Sequence, residues 1–231
     1  RNAARDMAGK QDVTVGIIAN PVSARDIRRV IANATALQIT DRANIVLRVL
    51  SCLKACGVKK VVMMPENGGI RHHVRRGIDR ADAQRTGEFP HLSHLDWKIT
   101  GTVADTMRAA REMKDMGVAA IVVLGGDGTH RAVVSACGNV PIAGLSTGTN
   151  NAFPEHREPT ITGLAVGLAV TGKVPPRIAF SPNKQLVVQA GGQSLVQRRV
   201  RLDGSGALGA GGRHGHRCRD DGRADHEERS E

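Results

Sequence analysis

Aromatic side chains are scarce in this chain of 231 residues: they make up 2% of it, with one tryptophan, three phenylalanines and no tyrosine. Proteins that bind single-stranded nucleic acid or RNA loops usually stack bases on such rings. The formal net charge of +11 would suit a nucleic-acid partner, but the basic residues are scattered and form no single stripe. We therefore do not expect nucleic-acid binding, and we attribute the positive charge to an anionic small-molecule substrate.

Long apolar segments and metal-type cysteine patterns are also missing. The longest apolar runs, residues 118–124 and 164–170, fall far short of the roughly 18 residues that a membrane helix needs. The four cysteines include no Cys-x-x-Cys pair, and Cys52 and Cys56 lie on a predicted helix, which favours core packing. These absences predict a soluble, cytoplasmic protein without membrane contact or a structural metal.

The chain does contain a regular alternation of strand-like and helical patterns. Strand-like runs occur at residues 13–19, 60–64, 96–100, 119–124 and 140–145. Alternation of this kind predicts an α/β nucleotide-binding domain with a doubly wound, mostly parallel sheet and helices on both faces.

Helical periodicity and capping residues place the intervening helices. They are predicted at residues 41–55, at 103–116, from residue 130 onward, and at 160–171. Thr40 or Asp41 would cap the first helix, and Thr102 would cap the second together with Asp105. Thr102 could also contact a nucleotide, although capping explains its position. Residues 71–94 contain four histidines without regular ligand spacing, so we predict a solvated loop near the substrate cleft.

A glycine-rich turn follows the most apolar stretch of the chain. It reads Leu124-Gly125-Gly126-Asp127-Gly128-Thr129 and leads into the helix predicted from His130. Its glycines would permit unusual backbone conformations and close approach of a ligand, and the helix start offers amide donors to phosphate. A carboxylate repels phosphate unless it holds Mg²⁺ or accepts a proton from an attacking hydroxyl. Unless this is only a strand-to-helix turn, Asp127 therefore indicates phosphoryl transfer.

Two further polar segments follow predicted strands. The segment after strand 140–145 contains Thr149, Asn150 and Asn151, which suit a second phosphate or ribose contact, although an Asn-rich turn is the alternative. The first strand ends at Asn20, whose amide could equally bind nucleotide or close a turn.

Two arginines lie shortly after the first strand. Arg25 and Arg29 could offer guanidinium groups to phosphates, although a charge run of this kind also suits a solvated face.

These motifs resemble a known superfamily of kinases. NAD kinases, diacylglycerol and sphingosine kinases and 6-phosphofructokinases carry GGDG[TS] after a buried strand, as at Gly125 to Thr129. Lipid kinases have Gly-Thr-x-Asn-Asp-Phe in the second loop, whereas Asn151 stands here in the Asp position. The second loop, with Glu158-Pro159-Thr160 after it, looks closer to the ATP-NAD kinase branch that includes acetoin-catabolism protein X. The resemblance covers residues 13–176.

The resemblance implies ATP-dependent phosphorylation of a hydroxyl on NAD or a related small molecule, with ATP and Mg²⁺ as cofactors. Asp127 would be the catalytic base or would organise Mg²⁺. Nucleotide and phosphate would be bound by Asn20, Gly125, Gly126, Gly128, Thr129, Thr149, Asn150 and Asn151. The alternatives are a lipid kinase and a nucleotide-binding protein without catalysis. Intact relatives would be homo-oligomers.

The composition changes after the nucleotide-binding domain predicted at residues 1–176. Residues 177–196 would begin the β-rich second domain of the superfamily, with strands at 177–180 and 186–189. Residues 197–231 contain no lysine, much arginine and glycine, and too little apolar surface to form a core. They are either a basic tail or an out-of-frame translation, and the composition favours the second. Because the first residue is not Met, we expect a fragment or a processed form. If the tail is out of frame, most of the second domain is missing, and we expect this chain to bind nucleotide weakly and to phosphorylate little or nothing.

Overall fold

The computed structural model of the protein describes residues 12–20, 37–147, 157–182, 186–190, 193–197 and 200–201. Five strands come first in the chain: β1 (Thr14–Ala19), β2 (Lys60–Met63), β3 (His91–His94), β4 (Ala120–Gly125) and β5 (Ile142–Ser146). The helices are α1 (Ile39–Ala55), α2 (Ile70–Gln84), α3 (Val103–Asp115), α4 (Asp127–Ala136), α5 (Pro159–Val170) and α6 (Pro176–Ala179). Short strands follow: β6 (Ser181–Pro182), β7 (Leu186–Ala190), β8 (Gln193–Gln197) and β9 (Val200–Arg201).

The main sheet has the strand order β3-β2-β1-β4-β5-β9-β6. Strands β1 to β5 are all parallel, whereas β6 pairs antiparallel with β9 and β7 with β8 form a separate antiparallel pair. The chain runs outward from β1 to β3 and then returns to the other side of β1 with β4. The mostly parallel sheet is thus confirmed, and its order reverses between β1 and β4.

The central strands of the sheet, β1 and β4, are buried on both faces. In β4, Val122 and Leu124 belong to the core that α1, α2 and α5 cover, whereas Ile121 and Val123 face α3 and α4. Because successive side chains of a strand point to opposite faces, a strand covered on both sides must be apolar throughout. This explains the apolar runs of the sequence and confirms the doubly wound α/β fold.

Helix α5 packs closely on α1 because two glycines face two cysteines. A Cβ added at Gly163 would lie 2.8 Å from Cys52 Cβ, and one at Gly167 would lie 2.5 Å from Cys56 Cβ. Both thiols are buried and free, and burial raises the pKa of each. The predicted core role of Cys52 and Cys56 is confirmed.

Helices α1, α3 and α5 lie within two residues of their predicted bounds, but the start of α1 differs from the prediction. Its N-cap is Gln38, and the amide of Gln38 donates to Asp41 Oδ2 at 3.2 Å, so neither Thr40 nor Asp41 is the cap. Thr102 does cap α3, because its hydroxyl accepts from the amide of Ala104 at 3.3 Å.

The prediction of a loop at residues 71–94 is wrong, because this part of the chain contains α2 and β3. Only Ile70 and Val74 of α2 are buried, and β3 is an edge strand of half-exposed and exposed residues. The apolar residues of α2 are thus few, and β3 contains a single apolar side chain, Leu92.

The strand predicted at residues 96–100 is also wrong. Trp97 packs against α3 instead: its Nε1 donates to Glu112 Oε2 at 3.0 Å, and the Arg108 guanidinium lies 4.8 Å from the ring centre. This segment therefore packs on a helix and is not a strand of the sheet, despite its β-type composition.

Of the two strands predicted after α5, one is wrong and one is confirmed. The strand predicted at 177–180 is wrong, because Pro175 and Pro176 begin the short helix α6, whereas the strand predicted at 186–189 is confirmed as β7. Residues 202–231 lie outside the described residues. None of the helices in the described ranges is both long and apolar enough to cross a bilayer.

Candidate functional site

The carboxyl ends of β1, β4 and β5 lie side by side. Ala19 is in register with Leu124, and Gly125 is in register with Ser146. Asn20 therefore follows β1 directly beside the end of β4. In open parallel sheets ligands bind outside the carboxyl ends of strands where the order reverses. The sequence-predicted residues Asn20 and Gly125 thus meet at the expected position for a ligand.

The glycine-rich segment forms the end of a strand and the first turn of a helix. Gly125 is the last residue of β4, Gly126 is the N-cap of α4, and Asp127 is its first residue. The helix therefore begins three residues before the predicted start at His130. As a result, the amides of Asp127, Gly128 and Thr129 belong to a first turn, where no intrahelical acceptor exists. Such amides bind anions.

The glycines of this segment serve to leave space, because none of them has an unusual backbone conformation. Gly126 has φ −93°, and neither Gly125 nor Gly128 has a left-handed φ, so the predicted unusual conformations are wrong. A Cβ at Gly125 would lie 2.5 Å from Thr129 Cβ, whereas a Cβ at Gly128 would meet nothing within 4 Å. Gly125 is thus required by internal packing, whereas among the described residues no side chain restricts the space next to Gly128.

Alanine at these two glycines should therefore have opposite effects. Gly125→Ala should lower the free energy of unfolding by roughly 1–3 kcal/mol, the usual cost of overpacking, because Thr129 must move. Gly128→Ala should leave stability unchanged or raise it slightly, since alanine favours a helix by roughly 0.5–1 kcal/mol over glycine. It should nevertheless weaken binding of inorganic triphosphate. Thermal unfolding and calorimetric titration check the pair, and undiminished binding by Gly128→Ala would contradict a phosphate loop here.

Asn20 is held from both sides by buried polar groups. Its Nδ2 donates to Thr106 Oγ1 at 3.1 Å, and its main-chain carbonyl accepts from Arg42 Nη1 at 2.8 Å. Thr106 is 0% exposed and Arg42 is 2% exposed. The position of Asn20 is therefore fixed by the fold itself, and its contact with a nucleotide stays a prediction.

A crevice next to Asn20 continues toward the start of α3, and Thr102 and Asp105 line it. Asp105 accepts from the amides of Thr100, at 3.0 Å, and Gly101, at 2.7 Å. Burial alone would raise the pKa of Asp105, but hydrogen bonds from Thr100, Gly101 and Thr102 outweigh burial and lower its pKa. The Asp105 carboxylate thus stays charged and closes the turn before α3.

Glu66 also lines this crevice. Its two carboxylate oxygens accept from the amides of Gly68 and Arg71, both at 2.6 Å. Glu66 therefore orders the turn that leads into α2. The two acidic groups of the crevice shape its walls through backbone amides.

Metal ligands are sparse around this edge of the sheet. Across the described ranges, no three His, Cys, Asp or Glu side chains come together to hold an ion. Mg²⁺ is commonly held by one or two carboxylates together with substrate phosphates. Asp127 is half-exposed in the first turn of α4, and its carboxylate fits such a shared site.

Sequence reasoning missed three buried polar residues around the site: Arg42, Thr106 and His130. Arg42 carried a signal, because it shares the apolar stripe of α1 with Val46 and Val49. A charge on such a stripe is buried and must have partners. The remaining predicted site residues, Arg25, Arg29, Thr149, Asn150 and Asn151, lie outside the described residues, so their contacts stay predictions.

Comparison with known proteins adds two findings. Residues 15–172 match the family model of the ATP-NAD kinase N-terminal domain, a range that includes every strand and helix around the crevice. The chain is also 59% identical over 189 residues to acetoin catabolism protein X of Cupriavidus necator. That match covers 81% of this chain and 52% of the relative. The chain thus spans about half the length of the curated relative it matches.

Proposed function

The chain belongs to the ATP-NAD kinase family, and on that basis we propose that it is the nucleotide-binding part of an enzyme that transfers phosphate from ATP to a hydroxyl of NAD or a related small molecule. The observation that carries this proposal is the glycine-rich first turn of α4, with Asp127 in it, at the point where the sheet order reverses. The matched segment covers about half of the relative. The activity of the whole protein is therefore part of the proposal.

The proposed roles follow from the geometry of the turn. The phosphates of ATP would lie over Gly128, where an added Cβ would meet no described residue outside the first turns of α4 within 4 Å. The amides of Asp127, Gly128 and Thr129 would donate to the phosphate oxygens, as amides at helix starts do. Phosphoryl transfer depends chiefly on such positioning and on charge stabilisation, which a preformed turn supplies.

Asp127 would act on the acceptor. Its carboxylate would accept the proton of the attacking hydroxyl while the oxygen of that hydroxyl forms a bond to the γ-phosphorus. The bond between the γ-phosphorus and the oxygen bridging to the β-phosphate breaks, and ADP leaves. Mg²⁺, held by Asp127 and the phosphates, would supply neutralisation of the charge on the transferred group. In the alternative use of Asp127, the carboxylate serves this ion only and another group takes the proton.

The name of the relative connects that protein with acetoin catabolism. We extend this setting to the present chain as part of the proposal, with NADP as the product when NAD is the acceptor. A cytoplasmic location and a homo-oligomeric state of the intact protein belong to the same proposal.

A labelling experiment identifies the acceptor. The chain, and a longer form extended by the half that the relative has in addition, are incubated with ATP labelled in the γ-phosphate, Mg²⁺, and either NAD or diacylglycerol. We expect label in NAD with the longer form and little or none with the present chain. Label in the lipid alone would contradict the NAD assignment. A longer form that neither binds ATP nor transfers label would contradict the kinase proposal.

A further inference from the structure

His130 lies one helical turn after Gly126, inside the fold and next to the glycine-rich turn. It is 6% exposed, and its Nδ1 lies 2.9 Å from the carbonyl oxygen of Gly126. The same oxygen accepts the main-chain amide of His130 at 3.1 Å. Because a carbonyl oxygen can only accept, Nδ1 carries the proton and donates. The Gly126 carbonyl therefore has two donors from a single residue.

The imidazole ring occupies a space that a glycine of β5 leaves open. A Cβ at Gly144 would lie 2.6 Å from His130 Nε2 and 3.1 Å from its Cδ2. Any larger residue at position 144 would therefore displace the ring from its present position. Gly144 and His130 thus form a matched pair across the interface of β5 and α4.

The hydrogen bond from His130 to the Gly126 carbonyl also determines the direction of the Asp127 amide. The carbonyl of Gly126 and the amide of Asp127 belong to one planar trans peptide, so the two groups point in opposite directions. Holding that carbonyl toward the helix interior aims the Asp127 amide in the opposite direction, out of the N-terminal end of α4. A second donor on the carbonyl restricts rotation of this peptide before any ligand arrives, and a preformed donor set binds more tightly.

We propose that His130 is a positioning residue of the phosphate loop: it fixes the peptide between Gly126 and Asp127, and Gly144 provides the room for its ring. The inference rests on the proposed function, because it assigns the orientation of the same amides that would bind the phosphates of ATP. His130 itself touches neither the phosphates nor the acceptor.

Two substitutions of His130 separate the hydrogen bond from the volume of the ring. In His130→Asn the side-chain amide nitrogen is attached at the same position as Nδ1 and can still donate to Gly126. In His130→Leu the donor is lost. We expect His130→Leu to raise the Kd for ATP about five- to tenfold, the size of one lost hydrogen bond, and His130→Asn to stay close to the unmodified protein. Equal weakening by both substitutions, or by neither, would overturn the proposal.

A substitution of Gly144 displaces the ring without altering it. Gly144→Ala should weaken ATP binding as His130→Leu does. In the His130→Asn background the same change should be tolerated, because asparagine has no atom in place of Nε2. Val133→Ala serves as the matched control in α4, since Val133 is fully buried and has no contact with the Gly126 carbonyl to lose. It should lower the thermal midpoint and leave the Kd unchanged.

The amide resonance of Asp127, observed by NMR without any ligand, keeps this inference separate from the proposed function. We expect it to shift in His130→Leu and in Gly144→Ala, and to keep its position in Val133→Ala. If the unmodified protein fails to bind ATP while these shifts appear, the proposed function is wrong and the positioning role of His130 stands. An Asp127 resonance that ignores His130→Leu would overturn that role whatever the affinity for ATP.

Discussion

Replacing Asp127 with asparagine should lower turnover by roughly 10² to 10⁴, the range that general-base assistance contributes. Asparagine has nearly the same shape but cannot accept a proton or neutralise Mg²⁺. Because Asp127 sits in the first turn of α4, the amides that would hold the phosphates remain in place. The Kd for ATP measured without Mg²⁺ should therefore change little, or improve as the negative charge beside the phosphates is removed. Turnover is measured in the longer form described above, and binding by calorimetry.

The matched control for this experiment is Asp79→Asn. Asp79 is an exposed carboxylate that pairs with Arg75 one helical turn away, at 3.0 Å, and such pairs contribute little to stability. The same chemical change at this remote position should leave both turnover and binding unaltered. Full activity of Asp127→Asn would exclude the carboxylate as base and as Mg²⁺ ligand. Loss of ATP binding together with turnover would instead assign Asp127 a structural role in the turn.

The parts of the fold that the sequence predicted well are those buried on both sides. Strands β1, β4 and β5 are mostly apolar, because helices cover both faces of the sheet at these strands. The glycine-rich turn was equally visible, since its residues follow one of these strands. Its helix was placed three residues too late because glycine and aspartate are weak helix formers in general, whereas the first turn tolerates them.

The parts that sequence reasoning missed have weak local signals. Helix α2 is strongly polar, but Ile70, Val74 and Ile78 recur every four residues, a period that could have indicated it. The edge strand β3 forms only because it pairs with β2. No local sequence pattern encodes this pairing. In the same way, the contacts of Arg42 and Thr106 with Asn20 join residues 22 and 86 positions apart. Such contacts exist only once the sheet order is set.

The second large effect is a loss of stability that we expect at the close contact of α5 with α1. Replacing a helix-interior glycine with alanine normally stabilises a protein by roughly 0.5–1 kcal/mol. Here we expect the opposite sign. Gly167→Ala would place its Cβ 2.5 Å from Cys56 Cβ and 2.8 Å from its Sγ. The two helices would have to separate, and overpacking of this kind costs roughly 1–3 kcal/mol. Gly163→Ala should act alike, because its Cβ would meet the main chain of Val49 at 3.1 Å.

Gly77→Ala in α2 is the control that separates helix spacing from simple crowding. Its Cβ would lie 2.4 Å from Leu47 Cδ1, but Leu47 is only half-buried, so the tip of its side chain can turn away. Urea unfolding should therefore show a clear loss for Gly167→Ala and little change for Gly77→Ala. In a double-mutant cycle, Cys56→Gly should recover part of the loss of Gly167→Ala, since it removes the opposing Cβ. If Gly167→Ala proves as stable as the unmodified protein, α5 and α1 do not lie as close together as their glycines and cysteines place them.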